Sequence, residues 1–429
     1  MSNTMQSLIN ELITAKEGLI NERNHLKEVL ATKDLEVANI YKLNELIETI
    51  TTLPSFRPPV YGIRIDETQQ DPETAVTYIE DSVGIEKAVG SDLKGWLNIY
   101  PFNKIRPVGF KNGTVYKEIK KENFKKYIDE TDVDETVDVM IEIPRVYWKF
   151  TKIENGYEIR ISAKKIDKDY KCLAHTVGET EKSNIYIGAY VGYRYYTLRS
   201  VTGKYSVEKA HTSTFRQSAQ SAGAGYQMYN YYSHLLLQIL YLVAYKNLDS
   251  SIALGQGLWY SQTPGGADEK GLNYGSQDNT EPVKFLGVED FWGNCSILVD
   301  GICTNSNKDI LISNNADFNN EGTNYKIISQ NETGLTKNVG GYPSKVVGGT
   351  ETGFIIKEGV SSSNDKPNYG DWANISFMNG YSLAMSNLKM SEGSYGAFNF
   401  LINLLSTTTY NNVASRLVFL GTDNGQLEG

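Results

Sequence analysis

Cysteine is scarce in this sequence, which has three cysteines among 429 residues. So few thiols cannot build the set of disulfides on which small secreted domains depend, and stability must come from packing. All four histidines lie far in sequence from the close pair Cys295 and Cys303: His25, His175, His211 and His234. We therefore expect ordinary buried thiols and no metal site or cofactor.

Long apolar runs are also missing. The best candidate, residues 235–244, supplies about half of the roughly 20 apolar residues that a membrane-spanning helix needs. The first residues, 1–13, include Glu11 and lack the basic region and continuous apolar core of an export signal. We therefore expect neither membrane insertion nor a signal peptide, and another route of export, such as release of an assembled particle by lysis.

An excess of positive charge is the third absence. The chain has 42 Lys and Arg against 51 Asp and Glu, which gives a net charge of -9 and an isoelectric point near 5.2. Proteins that bind a phosphate backbone usually carry a basic stripe, and no such density occurs in this sequence. We expect a polar partner that is not a nucleic acid.

Tyrosine, by contrast, is abundant, with 29 residues alongside 38 glycines and many Asn and Ser. This mixture is typical of binding loops, because Tyr offers a rigid apolar face with a polar tip and the small residues adapt around it. Tyrosine-rich strands of a β protein would give the same composition. Both interpretations stay open at this point.

Residues 4–52 contain no proline and a single glycine, and their apolar residues follow coiled-coil spacing. The polar residues Lys33 and Glu36 interrupt the pattern, so one long helix competes with two helices folded back on each other. A single helix could not bury so narrow a stripe of apolar residues, so the segment is expected to self-associate. We expect a helical oligomerisation stalk over residues 1–53, with a trimer favoured. Its predicted core contains Leu12, Leu19, Leu26, Ile40, Leu43, Ile47 and Ile50.

Beyond Pro54 the sequence changes to short β-patterned runs separated by turns such as Asn112-Gly113. A helix is predicted after Thr212, and a buried core helix over about residues 228–246, where apolar residues cover nearly all faces. From residue 255 onward, loops rich in Gly, Asn and Ser connect short strands. The predicted fold class is α+β, with a small β-rich linker or neck over residues 54–134 and a large domain over residues 135–429.

A series of segments, in this order along the chain, resembles receptor-binding and tail-fibre proteins of phages and phage-tail-like bacteriocins from clostridia and related Gram-positive bacteria. The segments are Tyr61-Gly-Ile-Arg-Ile-Asp66, Asp71-Pro-Glu-Thr-Ala-Val-Thr-Tyr78, Asp138-Val-Met-Ile-Glu-Ile-Pro144, Tyr186-Ile-Gly-Ala-Tyr190, Thr214-Phe-Arg216, Ala244-Tyr-Lys-Asn247 and Gly287-Val-Glu-Asp-Phe-Trp-Gly-Asn294. The resemblance covers roughly residues 60–300, and the shared order is more specific than any one motif.

This resemblance implies a C-type-lectin-like domain over residues 135–429 that binds a receptor. The chain would be made in the bacterial cytoplasm and carried on the virion tail tip as a homo-oligomer, joined to other tail or baseplate proteins through its N-terminal helices. It departs from calcium-binding lectins at Glu281-Pro282-Val283 and Asp371-Trp372-Ala373. It also lacks the paired C-terminal cysteines of formylglycine-generating enzymes, so we expect no enzymatic activity. Trp292, Gly293 and Asn294 are predicted to be structural.

The predicted receptor-binding residues combine aromatic faces with amides: Trp372, Asn374, Tyr381, Tyr395, Phe398, Asn399, Tyr410, Asn411 and Asn412. A host surface-layer protein or a cell-wall glycan would suit such a surface. Alternatively, residues 398–404 form a core helix with only its flanks exposed.

Two other functions compete with receptor binding. The chain could be a tailspike that cleaves wall glycans with a carboxylate pair, either Asp290 with Asp300 or Asp365 with Asp371. It could also be a purely structural tail or baseplate subunit.

Overall fold

The computed structural model describes residues 58–205, 208–361, 368–387 and 395–421. Pro59–Gly429 forms a compact unit. The predicted stalk over residues 1–53, with all of its oligomerisation residues, lies outside the described residues. No helix in the described ranges is both long enough and apolar enough to cross a membrane.

The predicted α+β fold class, in which a helical stalk and a β-rich linker precede a large C-type-lectin-like domain, is wrong. Of the described residues, 37% lie in strands and 12% in helices, so the protein is mostly β. The sequence pattern overestimated helix because short apolar runs suit a buried strand and a buried helix equally well.

The strands have the following bounds. The first eight are β1 (Val60–Asp66), β2 (Val76–Glu80), β3 (Arg106–Lys111), β4 (Thr114–Glu118), β5 (Asp138–Pro144), β6 (Tyr147–Ile153), β7 (Gly156–Ser162) and β8 (Thr176–Val177). The next eight are β9 (Thr180–Glu181), β10 (Asn184–Gly188), β11 (Tyr193–Arg194), β12 (Leu198–Arg199), β13 (Glu208–Ala210), β14 (Tyr226–Met228), β15 (Lys284–Phe285) and β16 (Val288–Glu289). The last ten are β17 (Ser296–Thr304), β18 (Ile310–Ile312), β19 (Lys326–Ile328), β20 (Val339–Val346), β21 (Ile356–Val360), β22 (Ala373–Ile375), β23 (Ser382–Ser386), β24 (Phe400–Leu405), β25 (Tyr410–Ala414) and β26 (Leu417–Phe419).

The helices in the described ranges are few and, with one exception, short. The α-helices are α1 (Thr212–Gln220), α2 (Tyr231–Tyr245), α3 (Ser250–Ala253) and α4 (Gln330–Thr333). Single 3₁₀ turns occur at Lys94–Asn98, Phe102–Lys104 and Leu173–His175.

Three sheets make up the body. One has the strand order β2-β1-β7-β6, and a second has the order β14-β26-β10-β5-β3-β4. The third has ten strands, of which β13-β25-β17-β23-β24-β22-β20-β21 form the main path and β18 and β19 extend from β17. Because β1 pairs with β7 and β3 pairs with β5, the sheets run across the predicted boundary between residues 134 and 135. The predicted neck and head segments therefore share their sheets.

The core helix is present where the sequence predicts it. All 15 residues of α2 are buried, as expected from a segment that is apolar on nearly every face. The side chain of Asn230 accepts a hydrogen bond from the backbone of Ser233 and caps the N-terminus. The helix ends at Lys246, which adopts the left-handed conformation with φ of 52°.

Two local predictions, one of a turn and one of a helix, have different outcomes. The turn predicted at Asn112-Gly113 is confirmed, since it joins β3 to β4 and both residues have positive φ, 53° and 77°. The core helix considered for residues 398–404 is wrong, because Phe400–Leu405 forms β24 between β22 and β23.

Candidate functional site

Three of the predicted receptor-binding residues are buried: Tyr395, Phe398 and Asn399. The Phe398 ring packs against Phe354, with ring centroids 5.0 Å apart, and its backbone N–H donates to the Asp371 carboxylate at 2.9 Å. These three side chains offer no face to a partner. The sequence was misleading here because an aromatic residue suits a core as well as an interface.

The other six members of the predicted set lie nearer the surface. Trp372 is half-buried, with its ring edge-on to Tyr342 at 5.6 Å between centroids. The hydroxyl of Tyr410, also half-buried, accepts a hydrogen bond from the backbone of Leu405 at 2.6 Å. The remaining four fall into a half-buried pair, Asn374 and Tyr381, and an exposed pair, Asn411 and Asn412. The predicted set is thus divided between core, half-buried flank and surface.

Other aromatic side chains, outside the predicted set, are exposed. Tyr195 is 66% exposed, Tyr196 80%, Trp259 46% and Tyr260 39%. In the described part of the chain, Tyr116 is the only other exposed aromatic residue. Exposed apolar groups carried on loops are a common mark of an interaction site. We call the four residues Tyr195, Tyr196, Trp259 and Tyr260 the aromatic surface.

Tyr195 and Tyr196 form the tip of the hairpin between β11 and β12. Their rings meet edge to face, with centroids 4.3 Å apart. At the base, the Gly192 backbone N–H donates to the Ser415 carbonyl at 2.8 Å. A Cβ on Gly192 would lie 2.4 Å from Leu198 and 2.7 Å from that carbonyl, so only glycine fits without displacement. The hairpin is therefore packed closely onto the body, with its two tyrosines outward.

An ion pair fixes the hairpin beside the exposed amides. Arg194 donates from Nε to Glu208 at 2.6 Å and makes a second bond to the same carboxylate. Glu208 lies on β13, where it pairs with Val413 of β25. Asn411 and Asn412 precede Val413 on β25. Asn411 and Asn412, the two exposed amides of the predicted set, therefore lie on β25. This strand pairs with β13, which carries the carboxylate that binds Arg194.

Two further cations near the hairpin are also paired. Arg199 donates to Asp138 at 2.8 Å, and Lys204 forms an ion pair with Glu135.

The loop that carries Trp259 and Tyr260 is held by Asn294. The backbone N–H of Asn294 donates to the Leu258 carbonyl at 2.8 Å. Its side chain accepts from the Gln262 N–H and donates to the Gln262 carbonyl, both at 2.9 Å. Asn294 thus closes both ends of the loop, at Leu258 with its backbone and at Gln262 with its side chain, and Trp259 and Tyr260 lie between these contacts.

The residues that precede Asn294 support the same loop. Trp292 is fully buried, and its indole N–H donates to the Gly255 carbonyl at 2.9 Å. Gly293 has φ of 81°, and a Cβ there would lie 2.7 Å from the backbone N of Leu258. The three residues predicted to be structural therefore lie directly beneath an exposed pair of aromatic side chains.

The segments that follow the two loops are connected to each other. The Gly203 N–H donates to the Pro264 carbonyl at 2.9 Å, and the Tyr205 hydroxyl is hydrogen-bonded to Ser261. Residues 203–205 follow the tyrosine hairpin, and residues 261–264 follow Trp259 and Tyr260.

Below these loops is a buried polar network. The Arg416 guanidinium is fully buried and donates to four backbone carbonyls, those of Gly188, Ala189, Glu289 and Asp290, at 2.7–3.1 Å. Burial raises the pKa of the Asp290 carboxyl, and the neighbouring Glu289 raises it further. Because each carbonyl is satisfied by a fixed donor, the network stiffens the base on which both loops rest.

The carboxylate pair Asp290 and Asp300, considered for glycan cleavage, serves structural contacts. Asp290 is fully buried and accepts from the Asn294 side chain at 2.6 Å. Asp300 is buried in a bidentate ion pair with Arg216, at 2.6 and 2.8 Å. Neither carboxylate faces solvent, so neither could reach a glycosidic bond.

Of the second carboxylate pair, Asp371 is buried and accepts a hydrogen bond from the backbone of Phe398, and Asp365 lies outside the described residues. Over the described ranges, no group of three or more His, Cys, Asp or Glu is placed to hold a metal ion. All three cysteines are buried, and none of them forms a disulfide.

Three surface clefts have volumes of about 680, 820 and 490 Å³. None of these three is lined by a member of the aromatic surface.

The chain was compared with protein families and with curated proteins. No family model and no curated protein matches it.

The sequence contained one signal for the aromatic surface. Tyr193-Arg194-Tyr195-Tyr196 follows a glycine directly after a predicted strand, which is where a tight turn exposes its tip. The predicted set was drawn from the C-terminal loops instead, and so it omitted both tyrosines and the Trp259-Tyr260 pair.

Proposed function

We propose that this chain is a receptor-binding protein of a phage tail or phage-tail-like bacteriocin. It attaches the particle to the surface of a Gram-positive, clostridial-type host and is carried at the tail tip. The ordered segments between residues 60 and 300 support the class of protein. Homo-oligomerisation, with a trimer favoured, stays a prediction, and repetition of a weak site would raise the avidity.

The observation that carries this proposal is the exposure of Tyr195 and Tyr196 on a hairpin that is rigidly held at its base. An apolar ring in water is unfavourable, so it gains free energy when a partner covers it. A hairpin whose base is hydrogen-bonded and ion-paired loses little conformational entropy on binding. The exposed rings of Tyr195 and Tyr196 on a preorganised hairpin therefore favour adhesion as the role of this hairpin.

Binding of the full-length protein to host cells tests the proposal. We expect fluorescently labelled protein to bind clostridial-type cells and to compete with the intact particle for adsorption. The double variant Tyr195→Ala/Tyr196→Ala should bind about tenfold more weakly, the effect of removing a central aromatic contact.

Tyr116→Ala is the matched control, since Tyr116 is also exposed, at 57%, but lies on β4. This variant should bind like the parent protein. Failure of the parent to bind any host cell, or to compete with the particle, would instead support the purely structural role in the tail.

A further inference from the structure

Two buried carboxyl groups follow each other in the chain, at Glu289 and Asp290. Glu289 is 1% exposed, and Asp290 is completely buried. Burial disfavours the ionised form of a carboxyl group unless opposite charge or hydrogen-bond donors stabilise it. Two neighbouring carboxylates also repel each other. The partners of each side chain therefore decide which of the two acids ionises first.

Glu289 has the partners of a carboxylate. It accepts hydrogen bonds from the backbone N–H groups of Gly265 at 2.5 Å and Ala267 at 3.0 Å. Lys284, also fully buried, lies directly opposite Glu289 in the pairing of β15 with β16. Burial raises the pKa of Glu289, whereas the two N–H groups and the Lys284 ammonium lower it. The negative charge of the two acids is therefore best placed on Glu289.

Asp290 has no such partners. Its Oδ2 accepts from the Asn294 side chain at 2.6 Å, and its Oδ1 has no hydrogen-bond partner within the described part of the chain. The nearby Arg416 guanidinium donates to backbone carbonyls instead. Burial and then Glu289 raise the pKa of Asp290, and they outweigh the lowering by Asn294 and Arg416. Asp290 thus keeps its proton at a pH at which an exposed aspartate, with a pKa of about 3.9, has lost it.

Charged or titratable groups face the Asp290 region from several segments. They come from β15 and β16, from the segment after the tyrosine hairpin, from the chain just beyond Asp290 and from the segment before β26: Lys284, Glu289, Tyr205, Cys295 and Arg416. Arginine stays protonated. Burial raises the pKa of Tyr205 above its usual value of 10, so Tyr205 stays neutral. Glu289 is therefore the neighbouring acid whose charge bears most on Asp290.

Asn294 connects the Asp290 carboxyl to the surface. Its Nδ2 donates both to Asp290 Oδ2 and to the Gln262 carbonyl, and its Oδ1 accepts from the Gln262 N–H. Exposure increases along this route, since Asp290 and Asn294 are buried, Gln262 is half-buried and Ser261 is exposed. Water that hydrates the carboxylate along this route has to displace Gln262 from Asn294. Hydration of Asp290 and release of the loop are thereby coupled.

We propose that Asp290 and Asn294 form a pH-sensitive latch for the loop 258–262. The neutral carboxyl holds the loop closed, and its ionisation favours an open form in which water reaches the carboxylate. This loop carries Trp259 and Tyr260, so the latch controls how firmly these two rings are held. The latch acts within the fold and is independent of the proposed attachment function.

The sign of the pH dependence follows from the two forms of the loop. In the open form the Asp290 carboxyl is hydrated and has the pKa of an ordinary aspartate, about 3.9, whereas in the closed form burial raises its pKa. The closed form therefore binds the proton more tightly. Its advantage over the open form is complete below about pH 3.9 and declines as the pH rises, by at most about tenfold per pH unit, until the closed form also ionises.

Hydrogen exchange of the full-length protein tests the latch. It is followed by mass spectrometry at pH 5 and pH 8 and corrected for the intrinsic pH dependence of exchange. The backbone N–H groups of Trp259, Gln262 and Asn294 are hydrogen-bonded in the closed loop. We expect their protection to be lower at pH 8 than at pH 5 by about tenfold or more, because the open form gains population.

Two variants assign the change to Asp290. Asp290→Asn keeps the shape of the side chain and stays neutral, so its protection should differ by less than about twofold between the two pH values. Asp278→Asn is the matched control, since Asp278 is exposed and precedes Asn279, whose carbonyl accepts from the Trp259 N–H at 3.0 Å. This control should lose protection as the parent does.

Two outcomes would overturn the latch. One is an equal loss of protection in Asp290→Asn and in the parent, which would assign the pH dependence to another group such as Glu289. The other is constant protection of the parent across this pH range. If Asp290→Asn does not fold, infrared spectroscopy of the parent in D₂O decides. The carbonyl band of a protonated carboxyl should be present at pH 7 and disappear at alkaline pH, and its absence at pH 7 would contradict the proposal.

Discussion

His234 is buried within α2, where its ring stacks on Phe400 at 5.2 Å between centroids. Its Nδ1 lies 3.2 Å from the Tyr229 hydroxyl, which can donate to it when the imidazole is neutral. These buried surroundings of His234 have a consequence for the stability of the protein at acid pH.

Burial lowers the pKa of His234 from 6.5 to about 3. The unfolded chain therefore takes up a proton below about pH 6.5 that the folded chain does not, and stability present above this pH is lost as the pH falls toward 3. At pH 5 the loss from one such group is about 2 kcal/mol. His175, with its pKa also lowered to about 3 by burial, acts in the same direction.

We expect His234→Phe to lose less stability between pH 7.5 and pH 5 than the parent does, by about 2 kcal/mol. Urea unfolding at the two pH values measures this difference directly. The comparison uses the change with pH within each protein, so a general cost of the substitution cancels. An identical pH dependence in variant and parent would contradict the assignment.

At the scale of single residues, the sequence predicted burial better than exposure. Trp292 was expected to be structural, and its surroundings are apolar. The exposed tyrosines could not be separated from the buried ones, because Tyr157 and Tyr196 have the same chemistry and only the fold distinguishes their positions. Phe398 was assigned to the binding set for the same reason.

The tyrosine hairpin is an element whose position depends on one glycine. Substituting Gly192 by Ala places a methyl group against Leu198 and the Ser415 carbonyl, so the hairpin must move away from the body. We expect Gly192→Ala to weaken binding to host cells and to lower the free energy of unfolding by about 1–3 kcal/mol. Cell binding and chemical unfolding measure the two effects.

A matched control is Gly84→Ala, because a Cβ at Gly84 meets no neighbouring atom, although its φ of 89° still carries a backbone cost. If that variant lost as much binding as Gly192→Ala, close packing at the hairpin base would not be the cause.

Among the elements, α2 was predictable and β24 was not. The α2 segment is long enough, at 15 residues, that its apolar pattern and its N-terminal asparagine favour a helix. The β24 segment has six residues, and its apolar run is compatible with either structure. Pairing with β22 and β23 decided the outcome, and such long-range pairing is not visible in a local pattern.

At the scale of the whole molecule, the negative net charge and the paired charges around the hairpin predict how adhesion responds to salt. Binding driven by apolar contact depends weakly on ionic strength, whereas binding to a polyanion falls steeply. We expect the affinity for host cells to change less than about threefold between low and physiological salt. Titration of cells at several salt concentrations gives the slope, and a loss of about tenfold or more would indicate an electrostatic contact instead.

The overall architecture could be inferred only in part. The many short strands and their turns were evident, and the Asn112-Gly113 turn lies where it was predicted. The mostly β class and the sharing of sheets across residue 134 were not evident, because partners such as β1 and β7 are nearly 100 residues apart. The loops of the aromatic surface likewise depend on contacts between distant segments, such as Gly192 with Ser415.

Strand β26, which follows Arg416 directly, lies between β14 and β10 in the second sheet. A nascent chain on the ribosome cannot complete that sheet until residues 417–419 have emerged. A premature stop before residue 416 would release a chain in which β14 lacks its partner and β10 has one open edge, and such open strand edges are prone to aggregate.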